Sequence, residues 1–252
     1  MDGHQEMCID GYIDAQRRNI DSIKNLPQFS ILGSLVNQFY EISCDSVPKD
    51  SPPRFGKCLI LCHRSFLAGI TLIGQGQPED AAPITRRAVE IGKLCLGLKF
   101  KPQNIEKWLD YEKRMKRWKA REEGTRPPPY STPKIELPEN HKVLNELNTF
   151  LGVLSDSYVH FTPEFDESQN WRVTSGEESV NFYLNYFTSD QKTIERELIR
   201  LAEAHGYLIL IFDECLNGAL RKDRGWKTIF DRFLTVINEL KIQYGKKYKI
   251  GA

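Results

Sequence analysis

Apolar residues recur every three or four positions along most of this chain, the spacing of one face of an α-helix. Leu59, Cys62, Phe66, Ile70 and Ile73 mark one such face. Leu61, Leu67 and Leu72 add apolar surface off it, so this helix is expected to be wet on only a narrow side. Gly74 and Gly76 end it, because Gly most cheaply adopts the left-handed conformation past a helix end. Pro78, Glu79 and Asp80 suit the first turn of the next helix: Pro lacks an N–H that would be unpaired there, and carboxylates favour the positive end of the helix dipole. Pro83 is placed in that same first turn. The second helix carries Ile84, Ala88, Ile91, Cys95 and Leu98 on one face, with Val89, Leu94 and Leu96 off it. This hairpin, Lys57 to Phe100, is the stretch around which the rest is expected to be organised.

The same periodicity predicts a first helix over Glu6 to Leu26, ended by Pro27, and a second over Phe29 to Ser43 with the stripe Ile31, Leu35, Phe39 and Ile42. Pro48, Pro52 and Pro53 make Val47 to Arg54 a loop. After the hairpin, Asn104 to Glu123 is a highly charged helix with the stripe Trp108, Tyr111, Met115 and Trp118. Its aromatic side is expected to rest on a core; the alternative is single-strand or RNA binding by stacking and charge. Gly124 to Asn140 is a Pro-rich crossover. His141 to Val159 is a helix with Val143, Leu147, Phe150, Leu154 and Tyr158 inside. Thr162 to Ser179 is an acidic loop, and Val180 to Phe187 is irregular or a short helix. From Ser189, Ile194, Leu198, Leu201, His205, Leu208, Phe212 and Cys215 step alternately by four and three, a heptad-like seam closed by Gly218. His205 lies on that seam and is expected in the core. Trp226 to Tyr244 is the last helix, with Ile229, Phe233, Val236, Ile237 and Leu240 inside and a basic tail expected to fray.

The expected fold is therefore all-α: an antiparallel bundle of about seven or eight helices with a long Pro-rich crossover loop. It forms one domain over residues 1–252, with a helical pair in 1–54, the hairpin region in 55–161 including the linker 124–140, and the C-terminal helices in 189–252.

Composition narrows this little. The chain has 252 residues, 40% hydrophobic and 27% charged, with net charge +1, so no overall charge draws it to nucleic acid or a membrane. The first residues are polar, and no uninterrupted apolar run approaches the roughly 18 residues of a membrane span. A cytoplasmic protein without a membrane association is expected, its six cysteines reduced and mostly in apolar helix patterns. Cys58, Cys62 and His63 share a helix face, but no second ligand pair follows, so no metal and no cofactor is expected.

Candidate chemistry is confined to a few charged residues on apolar helices. Arg86, Glu90 and Lys93 form a polar seam on the second hairpin helix, with Arg87 beside them, and Arg64 lies on the first. Charges on a mostly buried helix need partners. The seam is either an ion pair that fixes helix packing or a pocket wall facing a ligand or a second chain. Asp156 and His160 are four apart, so a carboxylate can hold an imidazole tautomer and raise its basicity. A helix-end histidine paired locally is the plainer alternative. No phosphate-binding loop, dinucleotide fingerprint, HExxH or GxSxG occurs.

The turn GQGQPEDAA running into ITRRAVEIGKL, and the later LSDSYVHFTP, resemble a widespread bacterial family of helical domains distantly related to the HEPN superfamily. The resemblance covers Leu59 to Phe161. It implies a helical bundle, often dimeric, of a kind that includes ribonucleases of defence and toxin–antitoxin systems. It also implies an Arg–Glu pair like that of Arg87 or Arg86 with Glu90, and a functional histidine at His160. Ribonuclease members carry an Arg shortly before that histidine, whereas Val153, Leu154 and Ser155 stand here. Two functions follow as expectations. One is a non-enzymatic interaction module, a homo-oligomer with a possible protein partner, linked to phage defence or stress. The other is an RNA- or nucleotide-directed, ribonuclease-like enzyme using His160, Arg87, Glu90 and Asp156, with Arg86, Arg64 and Lys93 binding.

Overall fold

A computed structural model describes residues 9–103, 111–127, 135–154, 171–175, 180–184 and 187–249. Within them lie eight α-helices: α1 Ile9–Ile23, α2 Pro27–Asp45, α3 Pro53–Gly74, α4 Pro78–Phe100, α5 Tyr111–Glu122, α6 Lys142–Leu154, α7 Gln191–Cys215 and α8 Arg224–Tyr248. The helices make an all-α bundle in two layers. α2, α3 and α4 lie side by side; α7 packs behind all three, flanked by α8 against α2 and by α6 against α4. α7 touches α2, α3, α4, α6 and α8, and the α3–α4 hairpin packs against it.

Heptad spacing explains why. Ile194, Leu198, Leu201, His205, Leu208, Phe212 and Cys215 are all buried. Asp190 caps the helix, its carboxylate accepting from the backbone N–H groups of Lys192 and Thr193. α7 also buries three carboxylates that the seam does not reveal. Glu195 accepts from Lys247 Nζ at 2.7 Å and Gln191 Nε2 at 2.9 Å. Glu197 accepts from Arg196 Nε at 2.7 Å and Arg200 Nη1 at 3.0 Å. Asp213 accepts from the Arg221 backbone N–H at 3.1 Å and pairs with its guanidinium, which pins the α7–α8 corner. Each buried charge has its partner, as burial requires.

Two glycines set close approaches. At Gly92 an added Cβ would sit 2.4 Å from Leu208 Cδ2, so the missing side chain on α4 makes room for Leu208 of α7. Gly76 has φ +80°, and its carbonyl accepts from Thr188 N at 2.8 Å. That turn is also where α1 docks: Asn19 donates to Gln75 O at 3.0 Å, and Gln77 Nε2 donates to Tyr12 Oη at 2.7 Å.

Several expectations are corrected. Pro83 is the sixth residue of α4, past its first turn. α2 buries Leu32, Leu35, Val36, Phe39 and Tyr40 while Ile31 is exposed, so its inner face is rotated from the expected stripe. Trp171–Ser175 and Val180–Leu184 form an antiparallel two-stranded hairpin, not a loop and a short helix. Of the basic tail expected to fray, residues 245–248 belong to α8, where Lys247 reaches the buried Glu195, and residues 250–252 lie outside the described residues. On α5, Met115 and Trp118 are 49% and 52% exposed, so these two do not rest on a core; Trp108 and the Tyr111 side chain of the expected stripe lie outside what is described. Of the Pro-rich crossover, residues 135–137 press on Gly97 of α4.

Candidate functional site

The α4 seam is a chain of local pairings. Arg86 Nε donates to Glu90 Oε1 at 3.2 Å, one helical turn away. The side chains are 30% and 58% exposed, a setting in which an ion pair contributes little stability. Lys93 Nζ donates to Asn148 Oδ1 on α6 at 2.8 Å, and burial holds its ammonium below the usual lysine pKa. The seam therefore joins α4 to α6. Arg87 and Arg64 are exposed, on α4 and α3. His160 and Asp156, expected to converge with them, lie outside the described residues, as do Ser155 and residues 104–110 of the basic helix.

A buried polar pair missing from the candidate set sits between α2 and α7. Tyr40 Oη and His205 Nδ1 share a 2.7 Å hydrogen bond, both side chains being fully buried. His63 stacks on the Tyr40 ring at 5.0 Å, donates from Nε2 to Asn37 Oδ1 at 2.7 Å, and Asn37 in turn donates to Glu41 Oε1 at 2.9 Å. His205 Nε2 is buried with no hydrogen-bond partner. Burial, with nearby His63 adding to it, drives the His205 pKa down to about 3. The only sequence signal was His205 on the α7 seam.

This pair has a measurable consequence. The unfolded chain takes up the His205 proton near the ordinary value of 6.5, whereas the folded chain resists it to about 3. Stability is full above 6.5 and is lost as pH falls from there toward 3. His63, lowered by burial, acts in the same direction. Urea unfolding of the wild type is expected to lose about 1 kcal/mol per pH unit in this window from His205. In His205→Leu that part of the slope should vanish; an unchanged slope would remove His205 as its source.

Among the described residues, nothing covers the outer face of α3. Ile60, Leu61 and Leu67 are 52%, 39% and 43% exposed and share that face with Lys57, Arg64, Ala68 and Thr71. The inner face, from Leu59 through Ile73, is buried. α3 is long and apolar enough by composition to cross a membrane, yet only 28% of its most apolar 18-residue window is buried within the fold. Such helices also occur in proteins that bury them, here against α2, α4 and α7. The narrow wet side expected for α3 is thus largely apolar. Leu61 and Leu67 were visible in the sequence, but a helix apolar on most sides does not reveal whether its own chain covers it.

Among the described residues no three His, Cys, Asp or Glu side chains are grouped to hold a metal ion. No family model matches the chain, and neither a curated protein nor a solved structure matches it.

Proposed function

We propose that this chain is a helical interaction module that works as a homodimer, with the outer face of α3 as its contact surface. The observation that supports it is the exposure of Ile60, Leu61 and Leu67 along one side of the middle helix of the outer layer. Clustered exposed apolar side chains mark interaction surfaces. A second copy fits because a two-fold interface needs a self-complementary patch. Lys57 and Arg64 stand in the stripe, and the flanking helices carry exposed carboxylates, Glu41 on α2 and Glu90 on α4. Native mass spectrometry of the gently purified chain should give a dimer mass. A monomer mass at every concentration would contradict the proposal. A link to phage defence or stress rests on the resemblance alone, as does a ribonuclease-like activity through Arg87, Glu90 and His160.

A second reading has its own support on α5. Trp118 is 52% exposed beside the exposed Lys119 and Arg121, an aromatic platform among cations. Such surfaces stack unpaired bases. This reading predicts that single-stranded RNA quenches Trp118 fluorescence and that the affinity falls steeply with salt. Absent or salt-insensitive binding would end it.

A further inference from the structure

A groove of about 380 Å³ lies at the corner where α7 gives way to α8. Leu210, Trp226 and Phe230 give it an apolar floor, and Arg221, Lys227 and Asp231 give it a charged rim. Burial divides the two sets. Trp226 is buried and Leu210 and Phe230 are half-buried, whereas the three charged residues are exposed. The floor is well supported. The Trp226 and Phe230 rings stack with centroids 5.2 Å apart and planes 18° from parallel, and Phe39 of α2 packs on both. The indole N–H of Trp226 is already given to Ser43 Oγ at 3.0 Å, so no polar side-chain group of the floor is left for an occupant. Whatever lies there has an apolar body.

The rim decides the sign of its charge. Arg221 is held in place from below. The buried Asp213 accepts from its backbone N–H at 3.1 Å and from its Nε, and also pairs with Nη2. A Cβ added at Gly218 would lie 3.6 Å from Arg221 Nε, so the side chain runs across that turn. These bonds take one edge of the guanidinium, while Nη1 makes none among the described residues, and the side chain stays 63% exposed. A guanidinium fixed in this way loses little freedom when it binds a carboxylate. Residues 213–232 hold five Lys or Arg and four Asp or Glu. Three of those carboxylates are engaged: Asp213 by Arg221, Glu214 by His141, and Asp223 by the Trp226 N–H at the start of α8. Asp231 alone faces the groove, against two cations.

We infer that this groove binds a small aromatic carboxylate. The ring lies on Leu210, Trp226 and Phe230, and the carboxylate meets Arg221 and Lys227. The volume falls at the lower end of the range for ligand sites, about 300–1,000 Å³. A doubly charged phosphate ester fits less well, because Asp213 already occupies one edge of Arg221 and Asp231 stands at the rim. None of the groove residues lies on α3 or α5, so the site does not depend on the dimer or on RNA binding.

The probes are 2-naphthoate and its neutral analogue 2-naphthamide, titrated into the full-length chain by calorimetry at neutral pH. One naphthoate should bind per chain, and the amide should bind about 10-fold more weakly, the worth of one charge-assisted hydrogen bond. Arg221→Gln is a poor variant because it strands the buried Asp213. Lys227→Glu alters only an exposed side chain. It should weaken naphthoate by at least about 10-fold and leave the amide unchanged, with the helical circular dichroism of the wild type. No binding of naphthoate at about 1 mM would overturn the inference, as would equal affinity for acid and amide, or naphthoate binding that Lys227→Glu leaves unchanged. The comparison of the two probes on the wild type decides even without the variant.

Discussion

Phe39→Ala is expected to lower the free energy of unfolding by about 3–5 kcal/mol. Phe39 is fully buried on α2, and its ring centroid lies 5.2 Å from Trp226, 5.8 Å from Phe233 and 6.0 Å from Phe230. These rings join α2 to α8. Trp226 is itself anchored, its indole N–H donating to Ser43 Oγ at 3.0 Å on α2. Truncation removes the apolar area and leaves a cavity that α2 and α8 cannot easily close, because the Trp226 hydrogen bond to Ser43 holds the distance between them. A domain has only about 5–15 kcal/mol in total, so the fall in Tm should be on the order of 10 °C. Ile31→Ala on the same helix, at an exposed position, should cost well under 1 kcal/mol. Urea unfolding measures both; a loss for Phe39→Ala no larger than for Ile31→Ala would refute this packing.

The second large effect concerns assembly. Leu61→Glu combined with Leu67→Glu should weaken the proposed dimer by about 100-fold or more in Kd while leaving the folded monomer intact. Each leucine buried on association is worth about 1.5–3 kcal/mol relative to leaving it exposed, and a two-fold interface contains every residue twice. A carboxylate in the apolar centre of the contact adds a desolvation cost. Within one chain neither residue belongs to the core, since both are exposed. The urea midpoint of the variant, measured where the wild type is also monomeric, should therefore be nearly unchanged. A large drop in that midpoint would mean that the leucines pack within the chain and not between chains.

How much of this was legible in the sequence depends on the range over which each feature is encoded. The α7 seam was, because heptad spacing is local and every member of it is buried, His205 included. Arg86 with Glu90 was, because positions four apart meet on any helix. Lys93 with Asn148 was not, since the partner is 55 residues away on α6. Nor was the pairing of Tyr40 with His205 across 165 residues. Nothing in the local pattern marks Glu195, Glu197 and Asp213 as buried; Glu195 gains Lys247 from α8 and Asp213 gains Arg221 from the following turn, while Glu197 pairs with Arg196 and Arg200 on its own helix. The strands Trp171–Ser175 and Val180–Leu184 were missed because a five-residue strand is defined by its partner more than by its own pattern. For α3 the pattern showed which residues are apolar, and tertiary packing decided which of them stay outside.

Sedimentation velocity of the wild type and of Leu61→Glu/Leu67→Glu, run side by side over a concentration series, tests the α3 interface most directly. The wild type should shift from monomer to dimer as concentration rises, and the double variant should remain a folded monomer throughout. A wild type that stays monomeric, or a variant that dimerises equally well, would contradict the assignment of α3 as the contact surface.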